Sequence, residues 1–80
     1  MVYKLHKDAE KYLSKLNSKQ ILRILTAIKN LPNGDVKRLK GREPEMRLRI
    51  GNFRVVFEVR ENIFYVLEIG SRGDVYKCLN

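Results

Sequence analysis

The sequence lacks several features that would place a small protein in a disulfide-rich, secreted or membrane class. Cys78 is the only cysteine, so no internal disulfide can form. The first residues contain no apolar segment of the kind found in signal peptides. No apolar run approaches the length that spans a bilayer. We therefore expect a cytoplasmic protein and interpret Cys78 as incidental.

Acidic residues are scarce relative to basic ones. Asp and Glu total 9 and Lys and Arg total 17, which gives a formal net charge of +8 on 80 residues. Such an excess attracts polyanions, of which nucleic acid is the commonest. An acidic protein would serve as a partner equally well, and a merely solubilising surface is the alternative. Residues 1–80 are long enough for one domain, and the 44% of hydrophobic residues allows a core.

Two helices are predicted in the first half of the chain. Apolar residues recur at helical spacing over residues 8–16 and again over 18–31. Between them, Asn17 and Gln20 have the spacing of a capping box, with Ser18 as the rival N-cap. So short a connection predicts a helical hairpin.

The remaining segments are predicted to be strands and one loop. Residues 2–6 form a brief strand, and residues 35–45 form a basic connector without a clear period. Apolar and polar residues alternate over 46–50 and 53–59, and residues 63–69 form a last strand. The predicted fold is α+β: an N-terminal strand, a helical hairpin, then a three-stranded antiparallel meander with the helices on one face. The other face of such a sheet can remain in water.

The first hairpin sets the positions of three arginines. Gly51 and Asn52 form a two-residue turn, and a two-residue turn places Arg49 directly opposite Arg54. The apolar residues of both strands then share one face, so the register is self-consistent. Arg47, Arg49 and Arg54 share the other face.

The second hairpin is predicted from the parity of its apolar residues. Placing Leu67 and Ile69 on the core face requires an odd loop, which residues 60–62 provide. This register sets Glu68 opposite Arg54.

Two arginines that face each other across strands repel, so the pair demands an explanation. Both side chains can turn into solvent, where salt screens the repulsion. The alternative is a phosphate site, because guanidinium groups match the geometry of phosphate. Arg72 follows the last strand and can lean over the same face. The connector offers further basic residues that would extend the site for substrate binding: Lys37, Arg38, Lys40 and Arg42.

Three segments together resemble the RelE/ParE toxin superfamily. They are DVKRLKG at residues 35–41, RLRIGNFRVVFEV at 47–59 and VLEIGSRGDVYK at 66–77. The order of elements matches over nearly the whole chain. The resemblance implies a RelE-type toxin of a type II toxin–antitoxin system, inhibited by a RelB-like antitoxin. It further implies cleavage of messenger RNA in the ribosomal A site by attack of the substrate's own 2′-hydroxyl, without metal or other cofactor.

The resemblance assigns roles to five residues. Arg54 matches the central phosphate-binding arginine, and Arg47 and Arg49 lie where RelE has basic residues on the preceding strand. Arg72 lies near the C-terminal arginine, and Tyr76 matches a tyrosine that can stack on a base. Fixed guanidiniums stabilise the charge that builds on phosphate oxygens.

The resemblance leaves the general base unassigned. RelE-like proteins can carry lysine where this chain has arginine, and arginine stays protonated. Glu68 and Glu58 are the available carboxylates, either as base or as an arginine's partner, and His6 lies far along the chain. Two other functions stay open: a ParE-like toxin that binds DNA gyrase without nuclease activity, and a degenerate member that only binds an antitoxin or RNA.

Overall fold

The computed structural model describes residues 2–71, which form two helices and one mixed five-stranded sheet. The elements in chain order are β1 (Val2–Leu5), α1 (Lys7–Leu13), α2 (Ser18–Lys29), β2 (Asp35–Arg38), β3 (Met46–Ile50), β4 (Phe53–Arg60) and β5 (Ile63–Ser71). The sheet order is β1-β5-β4-β3-β2. β1 runs parallel to β5, and every other neighbouring pair is antiparallel. The α+β class and the helices on one face are confirmed.

The capping box at the start of α2 forms as predicted. The side chain of Asn17 accepts a hydrogen bond from the Gln20 backbone at 2.8 Å, and the Gln20 side chain accepts one from the Asn17 backbone at 3.2 Å. Asn17 is extended, with φ −77° and ψ 166°, so α1 must end before it. α1 stops at Leu13 rather than at the predicted residue 16, because Lys15 N and Leu16 N donate three residues back, to Tyr12 O and Leu13 O, instead of continuing the α-helical pattern.

The core lies between the two helices and one face of the sheet. Ile24 and Ile28 of α2 are buried against Val55, Phe57 and Val66 of the sheet. The Val55 and Phe57 side chains therefore point toward the helices, as the alternation predicted. Burial of such side chains contributes roughly 1.5–3 kcal/mol each, so this face supplies most of the hydrophobic stabilisation.

The prediction that residues 35–45 form only a loop is wrong. Asp35–Arg38 is a strand that pairs antiparallel with β3, Val36 opposite Leu48. Only one residue of the four, Val36, is half-buried. An edge strand with a single apolar residue gives no alternation to detect. The antiparallel part of the sheet therefore has four strands rather than three.

The predicted register of the second hairpin is also wrong. Its turn has two residues, Glu61 and Asn62, both with positive φ (49° and 63°), and Arg60 pairs with Ile63. A bulge interrupts the pairing between Val56 and Phe57, so that parity changes within the hairpin. The predicted three-residue loop at residues 60–62 is therefore replaced by a two-residue turn and a bulge, which together bring the apolar residues to the core face.

Candidate nucleic-acid interface

The face of the sheet that the helices leave uncovered carries the candidate site. The register of the first hairpin is confirmed, with Arg49 opposite Arg54 and Arg47 opposite Val56. We call this surface the arginine face and define it by Arg47, Arg49 and Arg54. The predicted residues Arg72 and Tyr76 lie outside the described residues.

Arg49 and Arg54 are the neighbouring pair at one end of this face. Arg49 is exposed and Arg54 is half-buried. The Arg54 Nε is enclosed, and no atom of the described residues accepts a hydrogen bond from it. No ion pair joins either arginine to a carboxylate within residues 2–71. Gly70 of β5 lies opposite Arg54 and is buried. This row of the sheet therefore places two cations on neighbouring strands.

Arg47 differs from the other two arginines because it is buried, with 7% of its surface exposed. Its Nη1 donates to the backbone carbonyl of Asp35 at 3.3 Å and lies 3.5 Å from the Asp35 carboxylate. Asp35 stands directly opposite Arg49 in the register, yet its carboxylate lies within ion-pair distance of Arg47. Arg47 thus ties β3 to the edge strand β2, and Arg49 forms no ion pair within residues 2–71.

Glu68 does not lie opposite Arg54, contrary to the prediction. The bulge moves it opposite Val56, and Gly70 takes the place beside Arg54. Its carboxylate instead lies 3.5 Å from Arg42 Nη2. The same Nη2 donates to Glu45 at 2.7 Å. Arg42 therefore reaches over the sheet from the loop between β2 and β3.

The other basic residues of the connector are divided among different surfaces. Lys37 is opposite Arg47 in the register and lies on the arginine face. Arg38 is opposite Met46, so its position in β2 belongs to the helix side. Lys40 is exposed in the loop after β2. Lys37 and Arg42 of the predicted basic extension therefore lie on the side of the arginine face, and Arg38 lies on the helix side.

The candidate general bases lie at different distances from the arginine pair. Glu58 is four residues from Arg54 along β4, about 13 Å at strand spacing, and its carboxylate forms an ion pair with Arg60 at 2.8 Å. His6 is exposed at the end of β1, and β5 separates that strand from β4. Glu68 is diagonal to Arg54 and is the nearest in register of the three.

Two residues of this face were missed from the sequence. Val56 is 1% exposed, although it points away from the helix-side core. Tyr65 is half-buried opposite Glu58. The alternation through Arg54, Val56 and Glu58 was the available signal for Val56. For Tyr65 there was none, because residues 63–67 are apolar or aromatic at both parities.

Residues 2–71 also bear on metal binding and on membrane crossing. No cluster of three or more His, Cys, Asp or Glu side chains there could hold a metal ion. None of the helices in that range has the length and apolar character needed to cross a bilayer.

The fold is that of RelE-type toxins. A chain of the RelB–RelE antitoxin–toxin complex from Methanococcus jannaschii superposes with a TM-score of 0.79 at 23% identity, covering 100% of both chains. The RelE–RelB complex from Pyrococcus horikoshii OT3 matches with a TM-score of 0.73 at 25% identity, over 90% of this chain and 94% of the other. The RelBE complex of E. coli matches with a TM-score of 0.64 at 22% identity, over 88% and 94%.

The family model for the ParE toxin of the type II toxin–antitoxin system parDE matches residues 3–76. The protein therefore belongs to this toxin family, within the RelE/ParE superfamily. No curated protein sequence matches the chain.

Proposed function

We propose that this toxin is an endoribonuclease of the RelE type that cleaves messenger RNA in the ribosomal A site. The observation that carries the proposal is the Arg49–Arg54 pair. Arg49 and Arg54 are directly opposite each other on neighbouring strands, and neither forms an ion pair with a carboxylate in the described part of the chain. Like charges opposed across strands destabilise a sheet, and a bound phosphate would reverse that cost. We assign the same cytoplasmic compartment to the toxin and its messages.

The proposed reaction takes its nucleophile from the substrate. The 2′-oxygen of one nucleotide attacks the adjacent phosphorus and loses its proton, the bond from phosphorus to the 5′-oxygen breaks, and that oxygen takes up a proton. The products are a 2′,3′-cyclic phosphate and a free 5′-hydroxyl. Arg54 and Arg49 stabilise the negative charge that develops on the phosphate oxygens. Because the hydroxyl belongs to the RNA, the proposed step requires no metal-bound water. Of the described carboxylates, Glu68 is the one whose register favours it as acceptor of the 2′-proton.

A second candidate follows from the family model, which describes a ParE toxin. A ParE-like protein would bind DNA gyrase and would cleave no RNA. The two candidates differ in what Arg54 does, since a gyrase inhibitor needs no phosphate at the centre of its sheet.

The proposed partner of the toxin is an acidic, RelB-like antitoxin that covers the arginine face. Similar solved structures are complexes of a RelE with a RelB. The net charge of +8 predicts electrostatic steering of an acidic segment. Association should accelerate at low salt, as stopped-flow measurements would show. An association rate indifferent to ionic strength would contradict a charge-driven encounter.

The decisive test replaces Arg54 by alanine. The fold should be unharmed or slightly stabilised, because a like-charged neighbour of Arg49 is removed. Single-turnover cleavage of ribosome-bound message should fall by about 10²–10³, the usual cost of losing one group that stabilises an oxyanion. Lys40→Ala is the control: it removes an equal charge from the exposed loop and should mainly weaken binding. Full cleavage by folded Arg54→Ala would remove the nuclease function from this site, and gyrase inhibition by the same variant would favour the ParE-like alternative.

A further inference from the structure

One ion pair crosses the arginine face from a loop to a strand that is not its neighbour. Arg42 lies in the loop that joins β2 to β3, and Glu68 lies on β5. β4 separates β3 from β5 in the sheet, so the Arg42–Glu68 contact spans β4. Glu68 is opposite Val56, which is 1% exposed. We call the Arg42–Glu68 pair the clasp.

The clasp is the weaker of the two contacts that hold the Arg42 guanidinium. Its distance is 3.5 Å, whereas the contact with Glu45 in the same loop is 2.7 Å. Half of the Glu68 side chain is exposed to solvent, where screening keeps such pairs weak. A stronger anion can therefore replace Glu68 as a partner of Arg42 while the contact between Arg42 and Glu45 remains.

The loop itself does not depend on the clasp. Leu39 N donates to Glu45 O at 3.1 Å, Arg42 N donates to Leu39 O at 3.1 Å, and Glu45 N donates to Arg42 O at 2.8 Å. These backbone bonds preform the loop between its two ends. Release of Glu68 would therefore free an anion-binding group without unfolding the loop.

The position of the clasp relative to the arginine pair resembles that of a neighbouring phosphate. Glu68 and Val56 form the row of the sheet next to Arg54 and Gly70. Two residues along a strand span about 6.6 Å, comparable to the separation of successive phosphates in a single-stranded chain. A carboxylate and a phosphate make the same kind of charge-assisted contact with a guanidinium.

We propose that Glu68 is a built-in substitute for a substrate phosphate. In the free toxin it occupies Arg42; when RNA binds, one phosphate lies on Arg49 and Arg54, the adjacent phosphate displaces Glu68, and Arg42 becomes a second phosphate subsite. This inference rests on the proposed function, because the first phosphate is the one placed at Arg54. The toxin then favours ligands with at least two consecutive phosphates.

The test uses single-stranded 2′-deoxy oligonucleotides, which offer no 2′-hydroxyl for cleavage. A dinucleoside monophosphate carries one phosphate and a trinucleoside diphosphate carries two. Their dissociation constants are measured by NMR titration for the wild type, Glu68→Gln and Glu43→Gln. Glu43 is the matched control, since it is exposed in the same loop and forms no ion pair within residues 2–71. Glu68→Gln should bind the two-phosphate probe about two- to fivefold more tightly than Glu43→Gln does, the range expected for loss of one exposed ion pair. The one-phosphate probe should not distinguish the two variants.

A thermodynamic cycle with Arg42→Gln gives a second reading. The coupling between Arg42→Gln and Glu68→Gln in urea unfolding should be present in the free protein and vanish when the two-phosphate probe saturates it. If the Arg42–Glu68 ion pair instead persists in the complex, the coupling energy remains when the two-phosphate probe is bound, and Glu68→Gln binds that probe more weakly than the wild type does. Either result, or equal affinities for Glu68→Gln and Glu43→Gln, would overturn the proposal. If Arg54→Ala binds both probes with wild-type affinity, the proposed function is wrong. If Arg54→Ala binds more weakly but Glu68→Gln binds both probes with the affinity of Glu43→Gln, only the proposal about Glu68 is wrong.

Discussion

The two faces of the sheet differ in polarity and in whether helices cover them. The helix-covered face is apolar and closed, with Ile24, Ile28 and Phe57 almost fully buried. The arginine face is charged, and the ion pairs that residues 2–71 form there lie around Arg49 and Arg54 rather than on them. One face therefore stabilises the fold, and the other holds two like charges opposite each other at a cost in stability. Variants on the two faces should separate stability from function.

The largest expected effect on stability comes from emptying the covered face. Phe57→Ala removes a ring that packs edge-on against Phe64 with centroids 5.8 Å apart. A buried Phe→Ala change costs about 3–5 kcal/mol, a large share of the stability of so small a domain. Urea unfolding measures the loss. A cost below about 1 kcal/mol, a level usual for exposed positions, would mean that the two faces are less different than their burial indicates.

A smaller effect on stability is expected at the buried arginine of the open face. Arg47→Ala should cost about 1–3 kcal/mol, because it removes packed side-chain stem and the hydrogen bond to Asp35. Arg49→Ala, on the same strand and face but exposed, should change stability by less than about 0.5 kcal/mol. Chemical denaturation of both variants sharpens the comparison within one face. Equal costs would show that Arg47 and Arg49 have the same role.

The helical cover should be weakened by loss of its N-cap. Asn17→Ala removes the side chain that accepts from Gln20 at 2.8 Å and should cost about 1 kcal/mol. Ser18→Ala, the rival cap from the sequence, should be close to neutral, since Ser18 is the first residue of α2. Thermal unfolding distinguishes the two. RNA affinity at a temperature where both are folded should not change, because neither residue lies on the arginine face.

The smallest expected effect concerns the edge of the open face. Lys37→Ala should reduce the slope of log affinity for single-stranded RNA against log salt by about 0.7, the value of one phosphate contact. Arg38→Ala removes the same charge from the other side of β2 and should change the slope less. Binding titrations from low to moderate salt compare them. Identical slopes for the two variants would show that RNA does not distinguish the sides of β2.

The first hairpin could be predicted from the sequence and the second could not, for a physical reason. In β3 and β4, an apolar residue stands at every second position on both sides of Gly51, whose φ of 57° fits a tight turn. The register and the opposition of Arg49 and Arg54 follow from that pattern. In β5, residues 63–67 are apolar or aromatic without interruption, so neither the parity nor the bulge leaves a trace. Because the predicted register was wrong, the residue predicted to lie opposite Glu68 was wrong as well.

The Arg42 contact could not be predicted for a different reason. It depends on how the loop between β2 and β3 folds over β4, and no periodicity encodes the path of a loop. β2 could not be predicted because it lies at the edge of the sheet, where Val36 is the one half-buried residue of the strand and no alternation results. Contacts of the fold that are set by alternation were therefore accessible, and contacts set by loop paths were not.

The pairing of β1 with β5 has a consequence for the synthesis of the toxin. Val2 pairs with Ile63, and β5 is the one neighbour of β1 among the described strands. Closing the long chain segment between β1 and β5 costs conformational entropy, and only the completed pairing of the two strands offsets this cost. A nascent chain therefore cannot complete its sheet until β5 has left the exit tunnel of the ribosome that is making it. Arg54 is translated before β5, so until β5 emerges the arginine face lacks the strand that stands beside Arg54 in the finished sheet.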